Sequence, residues 1–227
     1  MTLARRAAAE ALGSAFLLAT VVGSGIMGER LAGGNAALAL LANSTATGAA
    51  LVALILALGP ISGAHFNPAV TLAAAWERGL PWREVPHYLA AQLTGAIAGV
   101  VAANAMFELP AVSLSRHARH GLAQLLSESI ATFGLLFVIR ACARRSDSTA
   151  VAFAVGGYIA AAYWFTASTS FANPAVTIGR AFTDTYAGIR PADVAGFIAA
   201  QAAGATLGGM LFSWLVPLTG RPTAAPT

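Results

Sequence analysis

The pentapeptide Asn67-Pro68-Ala69-Val70-Thr71 returns unchanged as Asn173-Pro174-Ala175-Val176-Thr177, 106 residues further on. Asn is a favoured N-cap, Pro suits the first helical position because its missing N–H costs nothing there, and a residue before Pro is held extended. Each Asn-Pro is therefore a helix start. Each asparagine also carries an amide that can donate hydrogen bonds to a polar solute, unless it does no more than cap its own helix. Two carboxylates, Glu10 and Glu128, lie within apolar stretches. An ionisable group in that setting points to a function by default, a proton relay being one reading. No nucleophile with a base partner and no metal-ligand set accompanies them, so neither an enzyme, a metal site nor a cofactor is expected.

The elements that must hold these groups are membrane helices. The chain has 227 residues, 57% of them hydrophobic and 10% charged, against roughly a quarter charged in a soluble domain. All 13 basic residues are arginines, scattered singly or in pairs, so no basic stripe and no nucleic-acid partner is implied. Six stretches reach the roughly 20 apolar residues that a membrane helix needs: 7–27, 35–58, 86–107, 121–141, 149–167 and 192–214. The first is too long, and too like the others, for a cleaved signal peptide. Two shorter pieces, 67–77 and 173–183, can cross only half the bilayer. Cys142, near the inner end of the fourth span, is the single cysteine, which excludes an internal disulfide and fits inert packing.

With both termini cytoplasmic, Arg5, Arg6, Arg78, Arg83, Arg140, Arg144, Arg145 and Arg221 fall inside and Arg30, Arg116, Arg119, Arg180 and Arg190 outside. Eight against five favours that orientation. Arg180 leaves the count if it lies within the membrane. His117 and His120, beside Arg116 and Arg119, read as a solvated outer loop, with a pH gate or metal site as the other reading.

The pentapeptide is part of a longer duplication. Ala90-Ala91-Gln92 with Gly95, Ala96 and Gly99 recurs as Ala199-Ala200-Gln201 with Gly204, Ala205 and Gly208, and Glu10 is echoed by Glu128. Three matches in one order argue for two repeats, about 7–107 and 121–214, in a single membrane domain spanning 1–227. Each repeat has three spans, an odd number, so the second enters the bilayer inverted. The two half-helices then start near the midplane from opposite faces. Irregular backbone at that depth must be buried or line a water-filled cavity. The stretches 59–66 and 167–172 are of this kind, and their carbonyls are expected to form a polar ladder along a pore. The paired glycines, at small-xxx-small spacing, allow the third and sixth spans to pack closely.

With its two Asn-Pro-Ala boxes, the Ser62-Gly63-Ala64-His65-Phe66-Asn67-Pro68-Ala69-Val70-Thr71 run, the paired glutamates and the repeated Ala-Ala-Gln segment, the chain resembles the aquaporin and aquaglyceroporin (major intrinsic protein) family over essentially its whole length. The resemblance implies an all-α membrane bundle of six transmembrane helices plus two re-entrant half-helices, one pore per subunit and a homotetramer in a bacterial-type inner membrane. It makes Asn67, Pro68, Ala69, Asn173, Pro174 and Ala175 the pore boxes, Gly63, Ala64 and His65 a pore-lining loop, and Glu10 and Glu128 supports for the loops. His65 has a purely structural reading as well. Two helix N-termini facing each other add partial positive charge at the centre, a barrier to cations and protons but not to neutral hydroxylated solutes.

The family's outer constriction, carried over by offset from the boxes, falls on Thr47, Ala161, Ser170 and Val176. A one-residue slip replaces Ala161 by Ala160 or Ala162. All four residues are small, and Val176 stands where the family has arginine, so a wide ring without fixed charge is expected. That pattern resembles bacterial members associated with arsenic detoxification, and it implies passage of arsenous acid, glycerol-like polyols and water. Arg180, four residues beyond Val176, is on the same helix face; its guanidinium either reaches back toward the ring or pairs with Asp184 in the vestibule. The rival readings are an ordinary water-selective channel and, from another class, a secondary transporter with inverted repeats.

Overall fold

A computed structural model describes residues 1–144 and 148–216. Arg145 and Arg221, counted above on the inner side, lie outside the described residues. The described chain is entirely helical. Its elements are α1 (Leu3–Leu31), α2 (Ala36–Ser62), α3 (Pro68–Trp76), α4 (Val85–Met106) after a 3-10 turn at Trp82–Glu84, α5 (Leu122–Ala143), α6 (Ser148–Phe165), α7 (Pro174–Arg180) and α8 (Pro191–Leu215). Six of these are long and apolar enough to cross a membrane. The protein is therefore a multi-pass membrane protein with the all-helical architecture expected from the sequence.

The helices face two solvents. Large apolar side chains such as Leu12, Phe16, Leu56, Leu126, Phe153 and Trp214 are exposed and form the lipid-facing surface. The interior instead takes the polar groups: Glu10, Gln92, Thr71, Glu128, Gln201 and Thr177 are each fully buried.

α1 packs on α4 and α2, α5 packs on α8 and α6, and α2 packs on α6. The glycine pairs explain the tightest of these contacts. A methyl group at Gly95 or Gly99 would collide with the carbonyls of Ala11 and Ala15 on α1, and one at Gly204 or Gly208 with those of Ser129 and Phe133 on α5. The third and sixth spans thus use their glycines against the first and fourth, so that backbones touch directly.

The half-helices are short. At about 1.5 Å per residue, the nine residues of α3 and seven of α7 together measure roughly 24 Å, close to the hydrocarbon thickness of a bilayer. Each begins at its Asn-Pro: Asn67 and Asn173 are extended N-caps, and Pro68 and Pro174 fill the first helical position.

One boundary differs from the sequence expectation. Helix α2 continues through Pro60 to Ser62 instead of giving way to irregular backbone at Gly59. Pro60 is near enough to the helix end to cost little, and Gly63, in the left-handed region at φ 92°, caps it by donating its N–H to Gly59 O at 2.9 Å. The irregular inner loop therefore shortens to residues 63–67.

Candidate functional site

Two loops meet at the centre of the bundle, and each asparagine holds the loop of the other. Asn67 Nδ2 donates to Ala172 O at 2.8 Å, and Asn173 Nδ2 donates to Phe66 O at 2.8 Å. Each Oδ1 is used at home, accepting from Ala69 N at 2.9 Å and from Ala175 N at 2.9 Å. An amide has two N–H donors, so one remains on each asparagine, and both side chains line the central cavity. Capping and facing the cavity are thus compatible at both positions.

The loops between helix and asparagine are strained. Ala64, Phe66, Thr169, Ser170 and Ala172 all have φ between 48° and 60°, a region that costs a residue with a side chain roughly 1–2 kcal/mol. These turns present the N–H groups of His65, Phe66, Phe171 and Ala172 to the two glutamates. Glu10 Oε1 accepts from Ser62 Oγ at 2.6 Å and from His65 N at 3.0 Å, while Oε2 accepts from Phe66 N at 2.7 Å and Gln92 Nε2 at 2.8 Å. Glu128 accepts from Phe171 N and Ala172 N, each at 2.9 Å, and from Gln201 Nε2 at 2.6 Å. The glutamines also donate to Thr71 and Thr177 on the half-helices, at 2.8 and 2.9 Å. Neither glutamate is among the residues lining the cavity. That position gives a proton relay no access to the path.

The cavity has a volume of about 260 Å³ and runs past both asparagines, from Arg180 at one end to an ion pair between Glu77 and Arg140 at the other. Leu51, Leu135, Val155 and Ile159 make much of its wall apolar. Gly63, Ala64 and His65 line it, with His65 Nδ1 3.1 Å from Thr71 Oγ1. Thr47, Ser170 and Val176 also line it, and the buried Ser170 Oγ has no hydrogen-bond partner.

Ala161 does not take part. It is exposed on the outer face of α6, and Tyr163 occupies the place assigned to it. Residues 151, 155, 159 and 163 follow one another at the four-residue spacing of a single helix face, and position 161 lies about 200° away from Tyr163 around that helix. Neither Ala160 nor Ala162 lines the cavity either. Tyr163 Oη lies 3.3 Å from Thr47 Oγ1 across the constriction. The cavity wall beside Thr47 is therefore not composed of small residues alone. Tyr163→Ala is expected to raise glycerol flux severalfold over water flux, and Tyr163→Phe to change it little; stopped-flow light scattering on proteoliposomes measures both.

Of the two readings of Arg180, pairing with Asp184 is not the one seen. Asp184 is taken by Arg116, which donates to it from its backbone N and its Nε, each at 2.9 Å. Those bonds hold the Asp184 carboxyl below the usual carboxylate range. The tie is therefore intact at neutral pH and is lost only as pH falls through that lowered value. Arg180 instead turns back into the bundle. Its guanidinium lies 3.4 Å over the ring of Phe171, Nε donates to Ala187 O, and the side chain lines the cavity.

Arg119 carries a role the sequence did not signal. From the outer loop it donates to Gly188 O at 2.8 Å, Ser168 O at 3.2 Å and Tyr186 O at 3.4 Å, and its guanidinium lies 5.1 Å from the centre of the Phe171 ring. It ties the α6–α7 loop to the α7–α8 loop. His117 and His120 are exposed beside it, as in a solvated loop, and the described residues contain no cluster of three or more metal-binding side chains.

The chain matches the family model of the major intrinsic protein over residues 1–150. It belongs to the major intrinsic protein family. Among the family's members it is 53% identical over 214 residues to "Aquaglyceroporin AqpS" of Rhizobium meliloti (strain 1021), covering 94% of this chain and 91% of that one. It is 38% identical over 189 residues to "Aquaporin NIP1-4" of Oryza sativa subsp. japonica, 79% of this chain and 66% of the rice protein. The fold agrees with the X-ray structure of the aquaglyceroporin from Plasmodium falciparum at a TM-score of 0.71 and 19% identity, over 94% of this chain and 95% of that one. Proteins of this family are channels, and this chain is a channel protein and not an enzyme.

Proposed function

We propose that the chain is a passive channel for small neutral hydroxylated solutes: water, glycerol-like polyols and neutral arsenous acid. The observation that carries this reading is Val176. It lines the cavity at the position where the family resemblance implies arginine, so the constriction lacks the side chain that would fill it and fix a charge in it. Apolar walls interrupted by Asn67, Asn173 and Ser170 suit a solute that is neutral yet rich in hydroxyls, which exchanges its water for these few groups in turn. A relative at 53% identity bears the name aquaglyceroporin, which supports the polyol part.

In this reading the channel comprises two inverted repeats in one domain. It assembles as a homotetramer in a bacterial inner membrane, with both termini in the cytoplasm. Arg180 lies within the bundle and drops out of the orientation count, which strengthens the inner excess of arginines to eight against four. Tyr163 favours a second reading, a water-selective channel, because its ring occupies part of the constriction. Uptake of arsenous acid at neutral pH, where it is uncharged, separates the two. Proteoliposomes holding the channel are expected to fill with it several times faster than empty liposomes, and equal rates would favour the water-selective reading.

A further inference from the structure

The cavity contains a cation that the four-residue constriction does not account for. Arg180 ends α7, where a positive charge is favoured by the helix dipole, and its side chain leans back toward the helix start as helical side chains do. It is 1% exposed and lines the same cavity as Val176, one helical turn away. Its Nε is spent on Ala187 O, its face rests on Phe171, and Nη1 is buried without a hydrogen-bond partner. It forms no ion pair among the described residues. The acid with which it has an electrostatic interaction, Glu128, has its oxygens occupied by Phe171 N, Ala172 N and Gln201.

We infer that Arg180 is the specificity-determining cation of this pore, held one helical turn beyond Val176 so that it excludes cations while leaving the constriction free for a polyol. The position separates two tasks that an arginine at 176 would combine. Charge repulsion acts over several ångströms in a low-dielectric passage, whereas steric exclusion acts only where the side chain sits. Phe171 and Ala187 fix the guanidinium at the wall, where its charge acts along the passage.

This inference rests on the channel reading, and the test distinguishes the two. In proteoliposomes, Arg180→Gln is expected to raise the ratio of methylammonium flux, that of a small cation, to glycerol flux at least about tenfold. Arg180→Lys is expected to exclude methylammonium as the unmodified channel does, and Val176→Arg with Arg180→Gln to restore the exclusion at the cost of glycerol flux. A second measurement needs no variant: external nitrate is expected to slow glycerol efflux through the unmodified channel by pairing with the guanidinium. Methylammonium exclusion unchanged in Arg180→Gln, or lost equally in Arg180→Lys, would overturn the inference. So would glycerol efflux indifferent to nitrate. No solute flux at all through the unmodified protein would overturn the channel reading itself, and the role of Arg180 with it.

Discussion

Val176→Arg is expected to lower glycerol and arsenous acid flux by at least about tenfold, a rise of some 1.4 kcal/mol or more in the barrier, while water flux is retained. Val176 is buried at the cavity wall in the same passage as Thr47, Tyr163 and Ser170. An arginine there adds several heavy atoms to a passage that Tyr163 already narrows from the opposite side. It also introduces a second cation one turn from Arg180, and the two repel each other across a passage with few polar groups to screen them. The new side chain is thus pressed into the lumen or against Thr47 and Tyr163. Both outcomes close the route to a three-carbon solute before they close it to water. Val176→Ala is the matched control and is expected to leave glycerol flux equal or higher. Both are read as initial rates in the same proteoliposomes, normalised to reconstituted protein.

The second large effect is on the fold. Glu128→Ala is expected to destabilise the protein by roughly 3–5 kcal/mol, because Phe171 N, Ala172 N and Gln201 Nε2 lose a fully buried acceptor. The loop it holds includes Thr169, Ser170 and Ala172, all in the left-handed region, so the strain loses its compensation as well. A fall of about 10 °C in the thermal unfolding midpoint in detergent corresponds to this loss. Glu128→Gln keeps the shape but replaces one acceptor oxygen with a donor against an N–H, and is expected to lie between the alanine variant and the unmodified chain. Glu10→Ala should behave alike, since it collects His65 N, Phe66 N, Ser62 and Gln92 on the other side. A midpoint unchanged in both alanine variants would show that the loops stand without their carboxylates.

The sequence made the half-helices legible because Asn-Pro dictates a local conformation: an extended cap followed by a helix start needs no tertiary context. The glycine pairs were legible for a similar reason, since no other residue permits the backbone contacts to Ala11, Ala15, Ser129 and Phe133. What the sequence hid depends on rotation and reach. Ala161 and Tyr163 differ by two positions, and an offset counted from Asn173 crosses a helix end and an irregular loop, where residues no longer advance by a fixed angle. The four-residue spacing of Val151, Val155, Ile159 and Tyr163 was the signal that marked the inward face of α6.

The placement of Arg119, and the aromatic partner it shares with Arg180, were hidden by a different cause. Charge counting treats an arginine as a label for one side of the membrane, but a guanidinium on a long apolar stem can reach inward to carbonyls or an aromatic face. Phe171, lying against both, is the common element, and nothing in its sequence neighbourhood announces it. The positive φ values of the loops were equally silent, because alanine, serine and phenylalanine occupy positions where glycine would have been the usual sign.

The most direct measurement is the volume recovery of proteoliposomes in a glycerol gradient, with no ion gradient imposed. Shrinkage followed by re-swelling much faster than in protein-free liposomes, unaffected by collapsing proton or sodium gradients, is the expected result. Rapid shrinkage with re-swelling no faster than in protein-free liposomes would contradict a polyol channel and leave a water channel; re-swelling that requires an ion gradient would contradict a channel altogether.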